Sequence, residues 1–182
     1  MIHESVKIAK TAIVEEGVDI GEGSIITHGA YISTNVKIGK NCFIGYNTVI
    51  RPDVVIGDGS HVRSHCFIAA GAKIGKDTQI MQFSNICRDC EVGDEVFVGM
   101  GCMTTNTKKI AYRRDYVDIN DPPIIMRAAR IGARVIILPG VTIGENVVVG
   151  AGSLVHKDLK ERCVYVGNPA KFLKDVPNEE LI

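Results

Sequence analysis

Segment 104–123, with the sequence TTNTKKIAYRRDYVDINDPP, collects basic side chains that could bind an anionic ligand. Lys108, Lys109, Arg113 and Arg114 bring four positive charges into a short stretch. An ammonium group acts as a point charge for phosphate, and a guanidinium group binds it in a bidentate fashion. We therefore predict a phosphate or diphosphate contact, with Lys108, Arg113 and Arg114 as substrate-binding residues. A merely solvated basic surface is the alternative.

Around this segment the chain repeats with a period of six residues. From Ile2 to Val98 every sixth residue is Ile or Val, which makes seventeen consecutive members of one apolar column. Four residues after each member lies a small or β-branched residue, and the pattern resumes in a new phase from Ile131 to Val155. Neither a helix nor simple strand alternation has this period. The repeat predicts short strands that are joined by regular turns and stacked as a solenoid.

A third column indicates where the chain turns. Gly, Asn or Asp occupies twelve of the seventeen positions that lie three residues after the apolar column. These residue types tolerate a positive φ, so we expect each hexad to turn through the left-handed region. His65 and Phe83 stand in this column instead, although Phe is poorly suited to a positive φ. Either the turn is locally altered at these residues or their side chains serve a function.

The small column also accounts for most of the cysteines. Four of the six fall in it, at Cys42, Cys66, Cys90 and Cys102. We predict that these four are small apolar residues of a narrow core. Cys87 and Cys90 form a C-x-x-C pair, but the column position of Cys90 argues against a metal or disulfide site. Cys163, like Cys87, lies off the column and has no evident base beside it.

Charge and hydropathy exclude some broad classes of partner. The net charge is zero, with 21 basic and 21 acidic residues, so we expect no binding to nucleic acid or to an anionic membrane surface. No apolar run approaches the about 20 residues that span a bilayer, and the N-terminus lacks the apolar part of a signal peptide. We therefore expect a soluble, cytoplasmic protein that acts on a small molecule.

The motifs IGKNCFIGYN and IGENVVVGAGSLV resemble those of the hexapeptide-repeat acyltransferases. This resemblance covers nearly the whole chain and implies an all-β fold, a left-handed parallel β-helix, and a homotrimer. Twenty-two hexads at three to a coil predict about seven coils. We predict one domain, 1–182, with N-terminal coils 1–103, an inserted loop 104–130, C-terminal coils 131–160, and a C-terminal strand and tail 161–182.

The motifs ILPGVTIG, VVGAGSLV and VGNPAK are similar to the C-terminal half of sugar acetyltransferases in this superfamily. The resemblance implies that the last coils form one wall of a groove for acetyl-coenzyme A, the acyl donor, and it implies no metal. The residues implied to line this groove are Ala133, Gly150 and Ala151 along the pantetheine arm, and Lys157, Asn168 and Lys171 near the nucleotide phosphates.

The acceptor is implied by a second resemblance. The pattern VFxGxxxxxTN, which ends at Asn106, is similar to that of the nucleotide-linked amino-sugar N-acetyltransferases, and it implies that Asn106 contacts the acceptor amine. The O-acetyltransferase branch carries a His-Pro whose histidine aligns with Lys109, and no His-Pro occurs in this chain. A hydroxyl needs such a base, whereas a neutral amine can attack a thioester directly. We therefore expect N-acetylation of a nucleotide-linked amino sugar.

The same comparison implies further contacts to the acceptor. The amino-sugar enzymes carry paired Asn residues one coil before the loop, where this chain has Gln82 and Phe83. They also carry a Trp-His-Phe near the start, of which His28 remains. Another branch uses a His-centred base, and HVRSHCFIAAGAKIG resembles its neighbourhood loosely, which makes His65 an alternative catalytic residue.

Three other functions stay open. The first is O-acetylation of a sugar or another small hydroxyl acceptor. The second is a scaffold without activity, in which the loop and the VGNPAK motif would have no purpose. The third is a zinc hydratase of the γ-carbonic-anhydrase kind, which needs three histidine ligands, whereas only His61 and His65 are close in the sequence.

Overall fold

The computed structural model describes residues 1–115, 117 and 119–182. Tyr116 and Asp118, both in the predicted inserted loop, lie outside the described residues. The hexads form two-residue strands that are joined by short turns. In chain order the strands are β1 (Lys7–Ile8), β2 (Ile13–Val14), β3 (Asp19–Ile20), β4 (Ile25–Ile26), β5 (Tyr31–Ile32), β6 (Lys37–Ile38), β7 (Phe43–Ile44), β8 (Val49–Ile50), β9 (Val55–Ile56), β10 (His61–Val62), β11 (Phe67–Ile68), β12 (Lys73–Ile74), β13 (Gln79–Ile80), β14 (Asn85–Ile86), β15 (Glu91–Val92), β16 (Phe97–Val98), β17 (Met103–Thr104), β18 (Ile124–Ile125), β19 (Arg130–Ile131), β20 (Ile136–Ile137), β21 (Thr142–Ile143), β22 (Val148–Val149), β23 (Leu154–Val155), β24 (Cys163–Val166) and β25 (Lys171–Asp175), and a 3-10 helix follows at Asn178–Glu180.

The strands stack on three faces of a parallel β-helix. Face 1 holds ten strands and begins with β1, face 2 holds eight and begins with β2, and face 3 holds seven and begins with β3. Outside the interruption and the last coil, paired strand residues are eighteen positions apart, as Lys37 and Val55 are. In the last coil the spacing is sixteen, as between Val148 and Val164. The predicted all-β fold, a parallel helix of hexapeptide repeats, is confirmed.

The core is the apolar column together with the small column. Ile44, Ile50 and Ile68 are fully buried, and the small residues fill the corners between them. The hydroxyl groups of polar residues in the small column form hydrogen bonds with the backbone of the next coil. Ser60, for example, donates to the carbonyl of Gly75 at 2.6 Å and accepts from the amide of Thr78 at 2.9 Å. The result is a tightly packed prism with an interior occupied by its own side chains.

All four cysteines of the small column are buried, as predicted. Cys42, Cys66, Cys90 and Cys102 are each at most 2% exposed. Burial raises the pKa of the Cys66 thiol to about 11, so this group stays protonated at neutral pH.

The turns pass through the left-handed region, as the third column predicts. His65 has a φ of 60° and Phe83 a φ of 62°, close to the 59° of Asn35. The alternative of a locally altered turn at these two residues is therefore wrong. Both residues adopt the common turn, and a Phe in this conformation is strained relative to Gly or Asn.

The coil count and the extent of the interruption differ from the prediction. Nine strands of face 1 run parallel, because only β25 joins antiparallel, so the helix has about nine coils rather than seven. Thr104 and Ile125 each lie one hexad beyond the two counted ladders, and Tyr165 pairs with Val149 sixteen residues earlier. All three occupy the inward column, and the hexad count omitted them. Thr104 of β17, both residues of β18 and Arg130 of β19 also lie within the predicted loop 104–130. The segment that leaves the coils, hereafter the inserted loop, is 105–123.

The chain finishes with a hairpin on face 1. β24 pairs with β22 in parallel and with β25 antiparallel. The segment after the hairpin returns to the prism, where Arg130 forms an ion pair with Glu180 at 2.7 Å and Asn146 exchanges two hydrogen bonds with Ile182 at 3.0 Å. Within the described part of the chain, no helix has the length and apolar character needed to cross a membrane.

Candidate functional site

The three edges of the prism carry the turns and hence most of the candidate site residues. Edge 1–2 holds the turns that lead from face 1 to face 2, edge 2–3 those from face 2 to face 3, and edge 3–1 the remainder. The inserted loop leaves β17 on face 2 and returns at β18 on face 3, so it projects from edge 2–3. Each predicted residue can now be assigned to an edge.

The base of the inserted loop is closed by a chain of side-chain amides. The Nδ2 group of Asn106 donates to Oδ1 of Asn120 at 2.5 Å, and Nδ2 of Asn120 donates to Oδ2 of Asp89 at 2.6 Å. The amide of Asp121 donates to the carbonyl of Asn106 at 2.9 Å, and Lys108 forms an ion pair with Asp121. The strand-like start and end of the loop are thereby held against the turn that contains Asp89.

A cavity of about 670 Å³, hereafter the loop cavity, lies between this base and face 2. Its walls are mostly apolar, with Met103 and Leu138 among them, and its polar groups include Asn85, Asn106 and Lys108. A concave, mainly apolar pocket with a few convergent polar groups is the usual form of a small-molecule site. Two of the predicted residues, Asn106 and Lys108, therefore share one cavity.

Cys87 also lines the loop cavity, and the sequence reasoning did not select it. Its amide donates to Oγ1 of Thr104 at 2.7 Å. The Cys90 thiol donates to the sulfur of Cys87, which lowers the pKa of Cys87 and raises that of Cys90 well above its usual range. The signal was present in the C-x-x-C spacing, because residues three apart in a β-turn bring their side chains together.

The outer part of the loop carries the other predicted phosphate ligands. Arg113 lies over the ring of Tyr112, with its guanidinium carbon 5.4 Å from the ring centroid. Arg114 donates to the carbonyl groups of Tyr112 and Arg113, both at 3.3 Å. Both arginines are exposed, whereas Lys108 lies at the loop base. The basic cluster is thus spread along the loop rather than gathered around one point.

Edge 1–2 presents a row of aromatic rings. The His65 and Phe83 rings stack with centroids 5.1 Å apart and an interplanar angle of 8°, although 62% of Phe83 is exposed. On the same edge, nearer the N-terminus, the rings of His28 and Tyr46 stack with centroids 6.3 Å apart. Oγ1 of Thr11 lies 3.0 Å from Nδ1 of His28, within hydrogen-bonding distance. Tyr46 was missed by sequence reasoning because its column, the residue before each turn, has no common residue type.

The same edge changes character in the later coils. Gln82 precedes the turn in one coil, whereas Ala133 and Ala151 occupy the equivalent position further along. The coils there are close enough that a Cβ at Gly132 would lie 2.5 Å from the amide nitrogen of Ala151. Ala133 is half-buried and Ala151 is exposed, and their small side chains cover little of the backbone in this part of edge 1–2.

The predicted residues fall into two groups within one chain. One group lies on edge 1–2 or in the β24–β25 hairpin at its end, namely His28, His65, Gln82, Phe83, Ala133, Gly150, Ala151, Asn168 and Lys171. The other group lies on edge 2–3 or in the inserted loop, namely Asn106, Lys108, Arg113, Arg114 and Lys157. The structure does not bring Asn106 and His65 together in one chain, and it separates Lys157 from the other predicted coenzyme A residues.

Face 2, which lies between these two edges, has an apolar outer row. Its outward residues are Ile13, Tyr31, Val49, Phe67, Asn85, Met103, Ile136 and Leu154. The outward residues of face 3 are Asp19, Lys37, Val55, Lys73, Glu91, Ile124 and Thr142. No charged side chain occurs in the described outer row of face 2, whereas four occur in that of face 3.

Comparison with known protein families gives one extensive match. The model for bacterial transferase hexapeptide (six repeats) matches residues 35–70, 71–106 and 122–157, which is more than half of the chain. The matched ranges contain most of the coils and stop at both sides of the inserted loop.

Curated relatives match over shorter stretches. A Schizosaccharomyces pombe protein described as an acetyltransferase is 40% identical over 78 residues, which are 43% of this chain and 38% of the relative. The galactoside O-acetyltransferase of Escherichia coli is 44% identical over 50 residues, which are 28% of this chain and 25% of the relative. The chain thus spans less than half the length of the curated relatives that it matches.

Solved structures share the fold over nearly the whole chain. The UDP-N-acetylglucosamine acyltransferase of Francisella novicida superposes with a TM-score of 0.77 and 23% identity, covering 99% of this chain and 71% of that one. The polySia-specific acetyltransferase NeuO gives a TM-score of 0.68 and 20% identity, covering 99% and 89%. At these identities the likeness concerns the fold alone.

Proposed function

Because this chain belongs to the family of bacterial transferases with hexapeptide repeats, we propose that it transfers an acetyl group from acetyl-coenzyme A to the amine of a nucleotide-linked amino sugar. The observation that carries the choice of acceptor is the environment of Asn106. This side chain lines the loop cavity, and its Nδ2 group is already engaged by Asn120. Its Oδ1 atom accepts no hydrogen bond among the described residues, so it suits a donor such as an amine.

The chemistry asked of the protein is mainly positioning. A neutral amine attacks the thioester carbonyl, the C–N bond forms, and the C–S bond breaks to release the coenzyme A thiolate. The proton lost by the new ammonium group neutralises that thiolate, so the atoms and charges balance without a further reactant. The described lining of the loop cavity contains no imidazole, and an amine acceptor needs none.

The two groups of candidate residues support a proposed homotrimer with shared sites. They flank face 2, whose apolar outer row suits burial against a neighbouring subunit. In such an assembly edge 1–2 of one subunit lies beside the inserted loop of the next. Coenzyme A would then lie along Ala133 and Ala151 with its phosphates near Lys171, and the acceptor would occupy the loop cavity.

Arg113 and Arg114 are proposed to hold the diphosphate of the acceptor. Both are exposed on the inserted loop, and Lys108 lines the cavity at its base. Gln82, Phe83 and, further along edge 1–2, His28 are proposed to contribute to the same acceptor site from the neighbouring subunit. Stacking of Phe83 on His65 leaves the outer face of the phenyl ring for a planar group of a ligand.

The direct test measures thiol release from acetyl-coenzyme A with a panel of UDP- and dTDP-linked amino sugars. Each amino sugar is paired with the corresponding hydroxy sugar, so that only the reacting atom changes. We expect turnover with an amino sugar and none with its hydroxy partner. Turnover of the hydroxy sugars alone would overturn the choice of acceptor, and no thiol release with any acceptor would count against the transferase itself.

Asn106→Ala tests the residue assignment. We expect kcat/KM to fall by about 10- to 100-fold, because a hydrogen bond to a charged or developing charged group is lost. The Kd for coenzyme A, measured by calorimetry, should not change. Asn178→Ala, outside the site, is the control. Wild-type turnover in Asn106→Ala would remove this residue from the site.

O-acetylation is the second candidate, and the stacked His65 favours it. A hydroxyl acceptor needs a base, and His65 is on the edge that a neighbouring subunit would bring to the loop cavity. His65→Asn should then abolish transfer to a hydroxyl acceptor. If the acceptor is an amine, the same substitution should lower kcat/KM much less than Asn106→Ala does.

A further inference from the structure

Asp89 ends a chain of hydrogen bonds whose direction is set by charge. An ionised carboxylate can only accept hydrogen bonds, so Asn120 must present its Nδ2 group to Asp89. Oδ1 of Asn120 therefore faces Asn106, which must in turn donate with its own Nδ2 group. Both bonds are present with these partners, at 2.6 Å from Asn120 to Asp89 and at 2.5 Å from Asn106 to Asn120. The consequence at the end of the chain is that the acceptor Oδ1 of Asn106 is turned away from Asn120, while one of the two Nδ2 hydrogens is engaged by Asn120.

From this order we infer that Asp89 is a positioning residue that fixes the side-chain amide of Asn106 with its oxygen toward the acceptor. The inference rests on the proposed function, because it assigns the acceptor to the loop cavity. It also goes beyond that proposal, since Asp89 touches no substrate and acts through two intervening bonds. Without the carboxylate, the amide of Asn106 could turn over and present two N–H donors to an amine that is itself a donor.

The turn itself does not require a carboxylate at this position. Asp89 has a φ of 56°, and its Oδ1 atom lies over Gly71 of the preceding coil, where a Cβ would come within 2.2 Å. Asn35 has a φ of 59° and places its Oδ1 atom over Gly17 in the same way. Asn therefore serves as well as Asp in this turn. The charge of Asp89 serves its other oxygen, Oδ2, which accepts from Nδ2 of Asn120 at 2.6 Å and forms an ion pair with Nε of Arg88 at 3.4 Å.

Another turn of this chain shows the opposite arrangement, in which an Asn in the turn donates to a carboxylate. Asn35 keeps its oxygen over the glycine and donates with Nδ2 to Oδ1 of Asp53 at 3.3 Å. An asparagine in this turn can thus donate to a carboxylate in the next layer while the turn is unchanged. This arrangement makes a compensating double variant possible at Asp89 and Asn120.

Three variants test the inference. Asp89→Asn keeps the size of the side chain and removes the charge that orders the chain. Asn120→Asp places a second carboxylate beside Asp89 and should be impaired by repulsion. Combining both substitutions restores the order, because Asn at 89 donates to Asp at 120, which again accepts from Asn106. Asp77→Asn is the control, since Asp77 occupies the same turn on edge 3–1 with its oxygen over Gly59.

The kinetic readout is kcat/KM for the amino-sugar acceptor. We expect Asp89→Asn to lower kcat/KM roughly fivefold to tenfold. The charge-assisted hydrogen bond is then replaced by a neutral one, in which the new amide can either donate to Asn120 or accept from it. The kcat/KM of the double variant should return to within about twofold of the wild-type value. Asp77→Asn should have the wild-type kcat/KM, because Asp77 makes no hydrogen bond to the Asn120–Asn106 pair. The Kd for coenzyme A should be the same in all four proteins.

A second readout needs no substrate. In ¹⁵N-labelled protein without ligand, the side-chain NH₂ signal of Asn106 should exchange slowly with solvent in the wild type and in the double variant, and that of Asn120 should do so in the wild type. In Asp89→Asn the Asn106 signal should exchange faster or split into two. This measurement decides the question even if the double variant does not fold.

The outcomes separate the inference from the proposed function. Wild-type kcat/KM in Asp89→Asn, an unchanged Asn106 signal in that variant, or a folded double variant no better than Asp89→Asn would overturn the positioning role and leave the transferase intact. Failure of every amino sugar to react would overturn the proposed function, and the NH₂ signals would still report whether Asp89 orders the amides.

Discussion

Phe83 shows how a single strained residue can indicate a site. It has a φ of 62° in a turn where Gly and Asn are usual, and 62% of its surface is exposed. A phenylalanine that is neither buried nor suited to its backbone contributes little to stability, so its presence points to a contact outside the chain. Its ring is held in place by His65, which has the same unusual φ.

Phe83→Gly should therefore separate stability from binding. Relief of the backbone strain offsets the lost stacking on His65, so the free energy of unfolding should change by less than about 1 kcal/mol, compared with about 3–5 kcal/mol for truncation of a core Phe. The KM for the acceptor should rise several-fold. Asn47→Gly, on the same edge, is the control. A large drop in melting temperature in Phe83→Gly would show that Phe83 is a packing residue.

Cys87 is expected to be the most reactive of the six cysteines. The thiol of Cys90 donates to it and lowers its pKa, whereas burial raises the pKa of Cys42, Cys66 and Cys102. Alkylation by iodoacetamide, followed by mass spectrometry across pH, should modify Cys87 first. Cys90→Ala removes the donor, so the pKa of Cys87 should rise and its alkylation should shift to higher pH. Equal rates at all six thiols would contradict this assignment.

The inserted loop is an element that the coils support but do not need. Its two ends meet at the bridge between Thr107 and Asn120 and at the bond from Asp121 to Asn106. The flanking strands β17 and β18 pair with β14, β20, β15 and β21 in the neighbouring coils. The ladder on both sides of the loop is thus continuous, which is why a long insertion is tolerated at this edge.

Replacement of 108–119 by two glycines should leave the β-helix folded and remove acceptor turnover. The short connection closes the same gap because the loop ends are already adjacent, so the melting temperature should change by only a few degrees. Coenzyme A binding, measured by thermal shift, should persist, since its proposed residues lie on edge 1–2. Loss of coenzyme A binding on this replacement would indicate that the loop holds the donor as well.

At the scale of the whole molecule, the difference in polarity between the outer rows of faces 2 and 3 supports the proposed trimer. Face 2 presents an apolar row between the two halves of the candidate site, whereas the outer row of face 3 includes four charged residues. Exposed apolar rows of this length mark interaction surfaces more often than solvent-facing ones. A second copy of the chain on face 2, as proposed above, would account for both the apolar row and the separation of Asn106 from edge 1–2.

Phe67→Glu should therefore weaken the trimer, because a charge in the buried interface is left unpaired. Val55→Glu on face 3 is a matched control, since both side chains are 41% exposed in the single chain. Light scattering after size exclusion should give a trimer for the wild type and Val55→Glu, and smaller species with lower turnover for Phe67→Glu. A trimer that survives Phe67→Glu would exclude face 2 as the interface.

The sequence by itself determined the β-helix and its core. The six-residue column requires a strand and a turn in each hexad, and the inward placement of Ile44 or Cys90 follows directly from position in that column. The resemblance also selected Asn106 and the last coils as candidates. These features are local, because a repeat with one strand per hexad repeats its own geometry and needs no information from distant residues.

Only the tertiary structure decided which candidates are neighbours. Asn106, Asn120 and Asp89 belong to one hydrogen-bonded chain although 31 positions separate Asp89 from Asn120, because the loop returns across the turn of an earlier coil. His65 and Asn106 lie on different edges although both were site candidates, because each three-hexad coil divides its turns among three edges. The residue types of the outer rows and of the inserted loop do not follow the six-residue repeat. Their contacts therefore depend on how the coils stack and cannot be predicted from the repeat.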